Sequence, residues 1–285
     1  MPKGKKFQIE QFRLIFLPPI VRSKIYNLLD FIDHIIYPNR MIPPRSLMMV
    51  DTGKWEQVGR EFKDIFIRYG KLQPIHRFLD VGCGAGRMAL PLTEYLIEGG
   101  EYWGFDNRYN CIAWCESHIN KKNNNFHFIH SDIRNKKYNS NGKIEAKDYK
   151  FPFSDDYFDF VFLGSLFTHM LPPGVENYLS EVSRVLKADG ICLITLLLIN
   201  DEPEKMGYIK IGMLDFRFDH GKYFTINEEN PEFSVAYKEE YFMTLSDKLG
   251  LPRKQLIRHG SWSDRIDYLT SQDLVFLRKD IVIDQ

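Results

Sequence analysis

The stretch Asp80-Val81-Gly82-Cys83-Gly84-Ala85-Gly86 decides the interpretation of this sequence. It completes Arg77–Val81, a short apolar run typical of a buried strand, and it precedes apolar residues at helical spacing over Arg87–Ile97. A strand, a sharp turn and a helix are therefore predicted here. Glycines in such a turn adopt backbone conformations that other residues avoid, and they let a ligand lie directly against the main chain.

The spacing of these glycines separates two kinds of ligand. A dinucleotide-binding turn has the pattern G-x-G-x-x-G, whose third glycine would fall at Arg87 in this chain. Here the pattern is G-x-G-x-G, and Asp80 precedes its first glycine by two residues. A carboxylate at that place opposes a pyrophosphate, but it suits the ammonium and the sulfonium of S-adenosylmethionine (SAM). The turn therefore predicts SAM in preference to a nicotinamide dinucleotide.

Strand-like and helix-like segments alternate from about residue 72 onward, which predicts an α/β fold with a doubly wound, mostly parallel sheet. The further strands are expected at Tyr102–Phe105, Phe126–His130, Phe158–Leu163, Ile191–Ile199, Gln255–Arg258 and Leu274–Leu277. The further helices are expected at Tyr109–Lys121, from Pro172-Pro173 to a stop at Gly190, and at Lys238–Leu249. Residues 201–231 are irregular, aromatic and charged, as in an insertion.

Two acids follow predicted strands at the sheet edge that the glycine turn shares. Asp106 ends the second strand, where its carboxylate can accept from both ribose hydroxyls. Asp132 follows the third strand, where its carboxylate can accept from the adenine amino group while the Ile133 backbone N–H approaches the ring. Ligands of open α/β sheets bind outside the carboxyl ends of the strands, as this layout requires. Each acid alone is also compatible with a turn residue or a helix cap.

Five motifs follow one another along the chain. They are F-L-D-V-G-C-G-A-G-R, G-F-D, S-D-I, F-P-F-S-D-D-Y-F-D-F-V-F and E-V-S-R-V-L-K-A-D-G, within residues 72–200. This ordered set resembles that of the class I SAM-dependent methyltransferases. The resemblance implies a seven-stranded sheet whose last strand, Leu274–Leu277, is antiparallel. The chain departs from the family at Ala188-Asp189-Gly190, where Pro-Gly-Gly is usual, and this departure affects a turn and not the chemistry.

The resemblance also implies which residues hold the cofactor. Asp80 and Gly82–Gly86 would line its methionine part, and Gly164 with Ser165 would lie beneath the sulfonium. By the same resemblance, ribose and adenine would bind at the two acids described above. The full set of expected cofactor-binding residues is Asp80, Gly82, Cys83, Gly84, Gly86, Arg87, Asp106, Asn107, Asp132, Ile133, Gly164 and Ser165.

The segment after the fourth strand, Leu163–Met170, bears on the methyl acceptor. It lacks the Asn/Asp-Pro-Pro-aromatic sequence of exocyclic-amine methyltransferases and the paired glutamates expected for a guanidinium acceptor. His169 is the candidate catalytic residue, because an imidazole can take a hydroxyl proton at neutral pH. The alternative is a histidine that caps the next helix or packs over SAM. Family members with a similar F-T-H-M segment resemble sugar or natural-product O-methyltransferases.

Aromatic side chains are the candidates for the acceptor pocket, since their rings offer stacking surfaces and their polar tips form hydrogen bonds. The expected acceptor-binding residues are Phe167, Met170, Tyr208, His220, Tyr223 and Trp262. The alternative is that these side chains form core packing or a small satellite core. Metal-dependent catechol-type methyltransferases resemble one another in having carboxylates after the fourth and fifth strands. This chain has only Asn200 and Asp201 after the fifth strand, so no metal is expected.

The first 46 residues differ in pattern from the rest. Phe7–Tyr37 has apolar residues at mixed helical spacing, and Met41–Arg45 resembles an extended connector. We expect residues 1–46 to form a helical extension, either a lid over the cofactor cleft or a segment that packs against the sheet. Residues 47–285 are expected to form the methyltransferase domain, with the insertion 201–231 over the active site.

The composition indicates which kinds of binding partner to expect. The formal net charge of zero argues against the broad positive surface that nucleic acids require, so a small-molecule or glycan acceptor is expected. The longest uncharged stretch, Phe160–Val175, is too short and too broken by prolines for a transmembrane helix. The cysteines are expected to be free, buried thiols of a cytoplasmic protein; they are Cys83, Cys111, Cys115 and Cys192. The oligomeric state stays open.

These features support one main hypothesis, SAM-dependent O-methylation of a small hydroxylated acceptor such as a sugar, a glycan unit or a natural product. One alternative is N- or C-methylation of a small molecule or a protein, for which a base at His169 would be unnecessary. Another is a SAM-binding module without catalytic activity.

Overall fold

The computed structural model describes residues 18–38, 40–48, 54–136, 138–200, 210–211, 214–263 and 267–280. Its helices are α1 (Pro19–Ile36), α2 (Trp55–Arg68), α3 (Ala89–Leu92), α4 (Tyr109–His118), α5 (Pro172–Val185) and α6 (Glu239–Lys248). Its strands are β1 (Arg77–Val81), β2 (Glu101–Asp106), β3 (Phe126–His130), β4 (Phe158–Gly164), β5 (Leu186–Leu196), β6 (Leu198–Ile199), β7 (Lys210–Ile211), β8 (Leu214–Asp215), β9 (Phe218–Asp219), β10 (Tyr223–Thr225), β11 (Val235–Lys238) and β12 (Asp273–Arg278). The predicted α/β class is confirmed.

The large sheet has six strands in the order β12-β5-β4-β1-β2-β3, and only β12 runs antiparallel to its neighbour. The sequence predicted one more strand in this sheet, at Gln255–Arg258. There the chain makes only isolated bridges, from Arg253 to Leu277 and from Arg258 to Leu274. The chain takes five residue steps between these bridges, from 253 to 258, whereas β12 takes only three on the opposite side, between 277 and 274. The two extra residues shift the register between the bridges, so a continuous ladder cannot form.

Apolar layers cover both faces of the large sheet, which is the doubly wound arrangement. On one face Phe66 of α2 packs against Phe78 of β1 and Phe160 of β4, with ring centroids 5.1 and 5.5 Å away. On the other face α5 buries Tyr178 and Val182 in the larger core cluster. Helix α2 was not predicted from the sequence, yet its buried side completes the first of these layers.

A second sheet follows the large one, in the order β6-β11-β10-β9. The sequence predicted a single strand over Ile191–Ile199, but β5 ends at Leu196 and β6 pairs in parallel with β11 instead. The backbone N–H of Leu198 donates to the Asp273 carboxylate at 2.7 Å, which turns the chain away from the large sheet. The insertion, which was expected to be irregular, contains the short strands β7 to β10. Tyr208 and Asp201 lie outside the described residues.

Two predicted helix boundaries were wrong. The helix expected over Arg87–Ile97 is reduced to the four residues of α3, where Pro91 has no N–H to continue the hydrogen-bond ladder. Helix α5 begins at Pro172, as predicted, but it ends at Val185. Gly190 lies inside β5, because the chain already pairs with β4 from Leu186 onward.

Helix α1 lies within the predicted helical extension. Its Asp30 and Asp33 form ion pairs with Arg45, each at 2.6 Å, and Leu47 reaches the central cavity two residues later. The domain division at residue 46 and the lid stay predictions. Within the described ranges, no helix has the length and apolarity needed to cross a membrane. All four cysteines are free and buried, as predicted.

Candidate functional site

A cavity of about 400 Å³ opens at the carboxyl ends of β1, β2 and β4. This is the sheet edge where the sequence placed the cofactor. Nine of the expected cofactor-binding residues line it: Gly82, Cys83, Gly84, Arg87, Asp106, Asn107, Ile133, Gly164 and Ser165. The other three, Asp80, Gly86 and Asp132, do not line it.

The glycine turn is tied to the end of β2. The N–H groups of Gly82 and Cys83 donate to the Phe105 carbonyl at 2.9 and 3.1 Å, and the Gly84 N–H donates to the Asp106 carboxylate at 2.8 Å. Gly82 and Gly84 have φ angles of +81° and +55°, which explains why glycine occupies both positions. The turn therefore presents a fixed backbone surface to the cavity.

Gly86 serves packing. Its φ is +76°, and a Cβ at this position would come within 2.6 Å of the Ile119 side chain beyond α4. The close approach lets the turn lie against the α4 segment, so Gly86 shapes the turn from behind and does not face the cavity.

Asp80 lies beneath the turn and is only 2% exposed. The Tyr102 hydroxyl donates to its carboxylate at 2.6 Å. Burial raises the pKa of Asp80 to about 7, against the lowering effects of the Tyr102 hydrogen bond and of nearby Arg87. A carboxyl group with this pKa gains charge in the neutral range, and a cationic ligand above it would favour the ionised form.

Arg87 supplies a cation to the cavity wall. Burial lowers the pKa of its guanidinium, while the charge of Asp80 raises it. A partly buried guanidinium suits a carboxylate, which it can bind through two parallel hydrogen bonds. The turn thus sets an acid and a base close together, as a zwitterionic amino-acid tail requires.

Asp106 is held by both of its oxygens. One accepts from Gly84, and the other accepts from the Arg108 backbone N–H at 2.8 Å. The Arg108 guanidinium in turn donates to the Leu47 carbonyl at 3.2 Å. The Arg108 Nε–H also donates to Oδ1 of Asp106 at 3.3 Å. The orientation of Asp106 is therefore fixed, while Oδ2 can still accept one further hydrogen bond from a ribose hydroxyl.

The structure does not bring Asp132 to the cavity. Its backbone carbonyl accepts from Lys143 and Ile144, both at 3.1 Å, and its carboxylate accepts from the Asn139 amide at 3.4 Å. The Ile133 N–H is bonded to the Ser131 carbonyl at 2.8 Å. The loop after β3 therefore turns the carboxylate of Asp132 away from the expected adenine position.

Ser165, after β4, has a left-handed backbone with φ of +57°, which is costly for a residue with a side chain. Two side chains hold it there. Its N–H donates to the Thr195 hydroxyl at 2.8 Å, and its own hydroxyl donates to the Gln272 amide oxygen at 2.9 Å. Thr195 donates to the same oxygen at 2.7 Å. This strained turn lies where the reacting sulfonium was expected.

His169 and Met170 lie at the other side of the cavity, and both line it. His169 also lines a second cavity of about 270 Å³, together with Asn135, Lys136, Tyr138, Asn230, Glu232 and Phe233. The His169 Nδ1 lies 3.1 Å from the Glu232 backbone carbonyl. Because a carbonyl only accepts, this nitrogen carries a proton, and in the neutral ring Nε2 is the basic nitrogen.

The remaining expected acceptor-binding residues that the structure describes do not line either cavity. Phe167 is fully buried against Phe242, with ring centroids 6.1 Å apart. The Trp262 ring N–H donates to the Asp273 carboxylate at 2.8 Å. His220 stacks on Tyr223 at 4.7 Å in the second sheet. Phe167 lies in the main core and Trp262 packs against a small satellite cluster, as the packing alternatives had it, whereas His220 is exposed. Tyr208 lies outside the described residues.

Several cavity residues were missed by the sequence analysis: Leu47, Trp55, Arg108, Tyr138, Glu232 and Gln272. Gln272 had a usable signal. It immediately precedes the antiparallel last strand, so it must lie at the carboxyl edge of the parallel strands. Glu232 had none, because it reaches the cavity from a short 3-10 turn, Pro231–Phe233, where the insertion ends.

The fold and this cavity are those of a SAM-dependent methyltransferase domain of class I, with SAM as its cofactor. Residues 79–194 match the family described as methyltransferase domain. Where the structure describes side chains, no three His, Cys, Asp or Glu residues converge as metal ligands would.

Relatives and solved structures agree with this class. The chain is 24% identical, over 62% of its length, to a probable cobalt-precorrin-6B C(15)-methyltransferase (decarboxylating) of Thermoplasma acidophilum, covering 83% of that protein. It is 26% identical, over 55% of its length, to a demethylmenaquinone methyltransferase of Geobacillus kaustophilus, of which it spans only 59%. The PH0226 protein of Pyrococcus horikoshii shares the fold, with a TM-score of 0.54 at 17% identity, over 87% of this chain and 98% of that one.

Proposed function

We propose that the enzyme transfers the methyl group of SAM to a hydroxyl oxygen of a small hydroxylated acceptor, such as a sugar, a glycan unit or a natural product. The observation that carries this proposal is the position of His169, which lines both the cofactor cavity and the second cavity. A side chain at that junction touches cofactor and acceptor together.

SAM fits the larger cavity by the chemistry of its walls. When bound, it supplies a methyl group on a sulfonium that leaves as a neutral thioether. Gly82 and Gly84 offer bare backbone, Arg87 would hold the carboxylate of the methionine part, and Asp106 would accept from ribose. These residues position the cofactor, and positioning is the main contribution of a protein to such a transfer.

The proton of the acceptor hydroxyl goes to His169. The acceptor oxygen gains the methyl group and loses its proton, so a base beside it speeds the transfer by about 100- to 10,000-fold. The Glu232 carbonyl holds Nδ1 as a donor, which leaves Nε2 as the basic nitrogen. The imidazolium then releases the proton to water, and no metal is required in this scheme.

The second cavity would hold the acceptor. The Asn230 Oδ1 atom is buried there, and it has no hydrogen-bond partner among the described residues. A buried acceptor without a partner costs about 1–3 kcal/mol, so a ligand hydroxyl that donates to it would bind favourably. Tyr138 and Phe233 add aromatic walls against which a ring can lie. A hydrogen-bond acceptor and flat aromatic walls together suit a hydroxylated ring.

A second candidate function is C-methylation. One relative is named as a C(15)-methyltransferase, which favours it. The Glu232 carboxyl group lines both cavities, and burial raises its pKa, so it is an alternative base for an acidic carbon. In that case His169 would contribute only to packing.

Transfer of labelled methyl from SAM to a panel of sugars, glycolipids and phenols tests the proposal. We expect label on a hydroxyl oxygen of one class, with the site of methylation determined by NMR. His169→Ala should abolish most of the transfer, while His118→Ala, on the exposed side of α4, should leave it unchanged. Label on carbon or nitrogen would contradict O-methylation. SAM binding without any label would favour a module without catalysis.

A further inference from the structure

Helix α1 carries a row of large apolar side chains that face solvent. The most exposed are Ile20 (74%), Phe31 (62%), Ile35 (61%), Leu28 (59%) and Ile36 (58%). At 100° per residue, Ile20, Leu28, Phe31 and Ile35 fall on one side of the helix. Val21 and Ile32 extend the same exposed surface. A surface helix of a globular protein normally turns such a row toward the core.

The polar side of α1 is the side attached to the rest of the protein. Asp30 and Asp33 both bind the guanidinium of Arg45, and the Arg45 backbone N–H also donates to Asp30. These bonds fix the rotation of the helix about its axis. The apolar row therefore cannot turn inward without breaking two ion pairs, and it stays available to a partner.

The charges of α1 indicate which partner. Arg45 forms ion pairs with both acids of the helix, whose other charged side chains at neutral pH are Arg22 and Lys24, so the three cations outnumber the two acids by one. Lys24 is exposed and falls on the same side as the apolar row. The preceding residues 1–17 contain the basic residues Lys3, Lys5, Lys6 and Arg13 and one acid, Glu10. The apolar row is thus accompanied by cations.

We propose that α1 docks on the surface of an anionic lipid membrane, parallel to its plane, with Phe31 and Ile35 in the boundary between headgroups and acyl chains. Apolar residues on one side of a helix, accompanied by lysine and arginine, are the signature of interfacial binding. A two-fold contact with a second copy would instead bring the cations of both helices together without acidic partners on that face.

Docking through α1 would bring the cofactor cavity close to the membrane surface. Arg45 anchors α1, and two residues later Leu47 lines the cavity, where its carbonyl accepts from Arg108 at 3.2 Å. An acceptor with a lipid anchor would then reach the cavity from the membrane. The membrane proposal itself does not depend on which atom receives the methyl group.

Co-sedimentation of the full chain with lipid vesicles tests this proposal. Vesicles of phosphatidylcholine alone are compared with vesicles that also contain phosphatidylglycerol. The protein should pellet with the anionic vesicles, and rising salt should weaken this binding. The double substitution Phe31→Glu with Ile35→Glu should weaken binding at least about tenfold, because two large apolar side chains no longer enter the lipid. Leu256→Glu, at a side chain that is 79% exposed elsewhere, should have no effect.

Misfolding of the double variant and self-association of the chain are each tested by a control. Circular dichroism and the thermal shift with S-adenosylhomocysteine should match between the wild type and the double variant, since neither residue lines the cavity. Absence of wild-type binding to anionic vesicles, or equal binding by the double variant, would overturn the proposal. A dimer in light scattering that the double variant abolishes, without vesicle binding, would assign the face to a second copy and would also overturn it.

Discussion

The two sides of the active site are built differently. The cofactor side consists of strand ends whose backbones are hydrogen-bonded together, as where the Gly82 N–H donates to the Phe105 carbonyl at 2.9 Å. The proposed acceptor side is lined by two groups of loop residues, Asn135, Lys136 and Tyr138 on one side and Asn230, Glu232 and Phe233 on the other, together with His169. One side presents a fixed surface for a ligand shared by a whole class of enzymes. The other side contains the buried Oδ1 atom of Asn230, which has no hydrogen-bond partner among the described residues.

Their titratable groups differ in the same way. On the cofactor side, Asp80 and Arg87 have pKa values shifted by burial beneath and beside the turn. On the acceptor side, His169 and Glu232 lie where the two cavities meet. Substitutions on the first side should therefore change cofactor affinity and stability, whereas those on the second should change turnover and acceptor affinity.

The largest effect is expected at His169. His169→Ala should lower kcat by about 100- to 10,000-fold, because the acceptor hydroxyl loses its base. The affinity for S-adenosylhomocysteine should stay within about twofold, since no ribose or methionine contact is assigned to this residue. Single-turnover kinetics and calorimetry on the same preparations measure the two quantities. A variant that loses cofactor affinity and turnover in parallel would show that the two sides are not separable.

Asp80→Asn should stabilise the ligand-free protein at alkaline pH. The folded-state pKa of Asp80, about 7, lies above its unfolded value, so the folded protein binds the extra proton. The wild type therefore loses stability as pH rises from about 4 to about 7, by an amount on the order of a few kcal/mol, and an uncharged asparagine avoids this loss.

Calorimetric melting at pH 8 and pH 5 measures the difference. The melting temperature of the Asn variant should exceed that of the wild type most at pH 8, and less at pH 5. Its affinity for S-adenosylhomocysteine should fall, because the ammonium loses a nearby carboxylate. A difference in melting temperature that does not depend on pH would contradict the raised pKa.

Thr195→Val tests the strained turn on the cofactor side. It removes the hydroxyl that accepts from the Ser165 N–H and donates to Gln272. Leaving these groups unpaired should lower the free energy of unfolding by about 1–3 kcal/mol and weaken cofactor binding. Urea unfolding and calorimetry report the two effects, and Thr195→Ser, which retains the hydroxyl, should restore both. No change in either quantity would mean that Ser165 keeps its conformation without this network.

The smallest effect is expected at Asn230. Asn230→Ala should raise the KM for the acceptor about five- to tenfold and leave kcat nearly unchanged, since one ligand hydrogen bond is lost. The free protein should not lose stability, because the deleted oxygen has no partner among the described residues. Asn230→Asp keeps an oxygen at that place and should retain most of the affinity. An unchanged KM in Asn230→Ala would place the acceptor elsewhere.

The cofactor side was predictable from the sequence because its signals are local. A short apolar strand, three glycines and an acid after the next strand lie within residues 77–106, and parallel pairing then brings them together. Asp132 was the exception: the loop after β3 folds back through bonds to Lys143 and Ile144, which a strand-end rule does not foresee. The prediction of a strand at Gln255–Arg258 was wrong for a similar reason, because two extra residues opposite β12 prevent a continuous ladder.

The acceptor side was not predictable in the same way. Strands of two or three residues, such as β9 and β10, are too short to show a periodic pattern. Aromatic composition did not reveal which rings would face a ligand: Trp262 bonds to Asp273 inside the protein, whereas Tyr138, in a polar loop, lines both cavities. Glu232 reaches His169 from 63 residues further along the chain.

Calorimetric titration with S-adenosylhomocysteine tests the central claim, that the cavity at the strand ends holds the cofactor through Asp106. We expect the wild type to bind, Asp106→Ala to bind at least roughly 100-fold more weakly through loss of a charged hydrogen bond to ribose and of the carboxylate that holds the Gly84 N–H, and Asp148→Ala, at an exposed acid, to bind normally. Circular dichroism should show that both variants are folded. Near-normal affinity in folded Asp106→Ala would contradict the account.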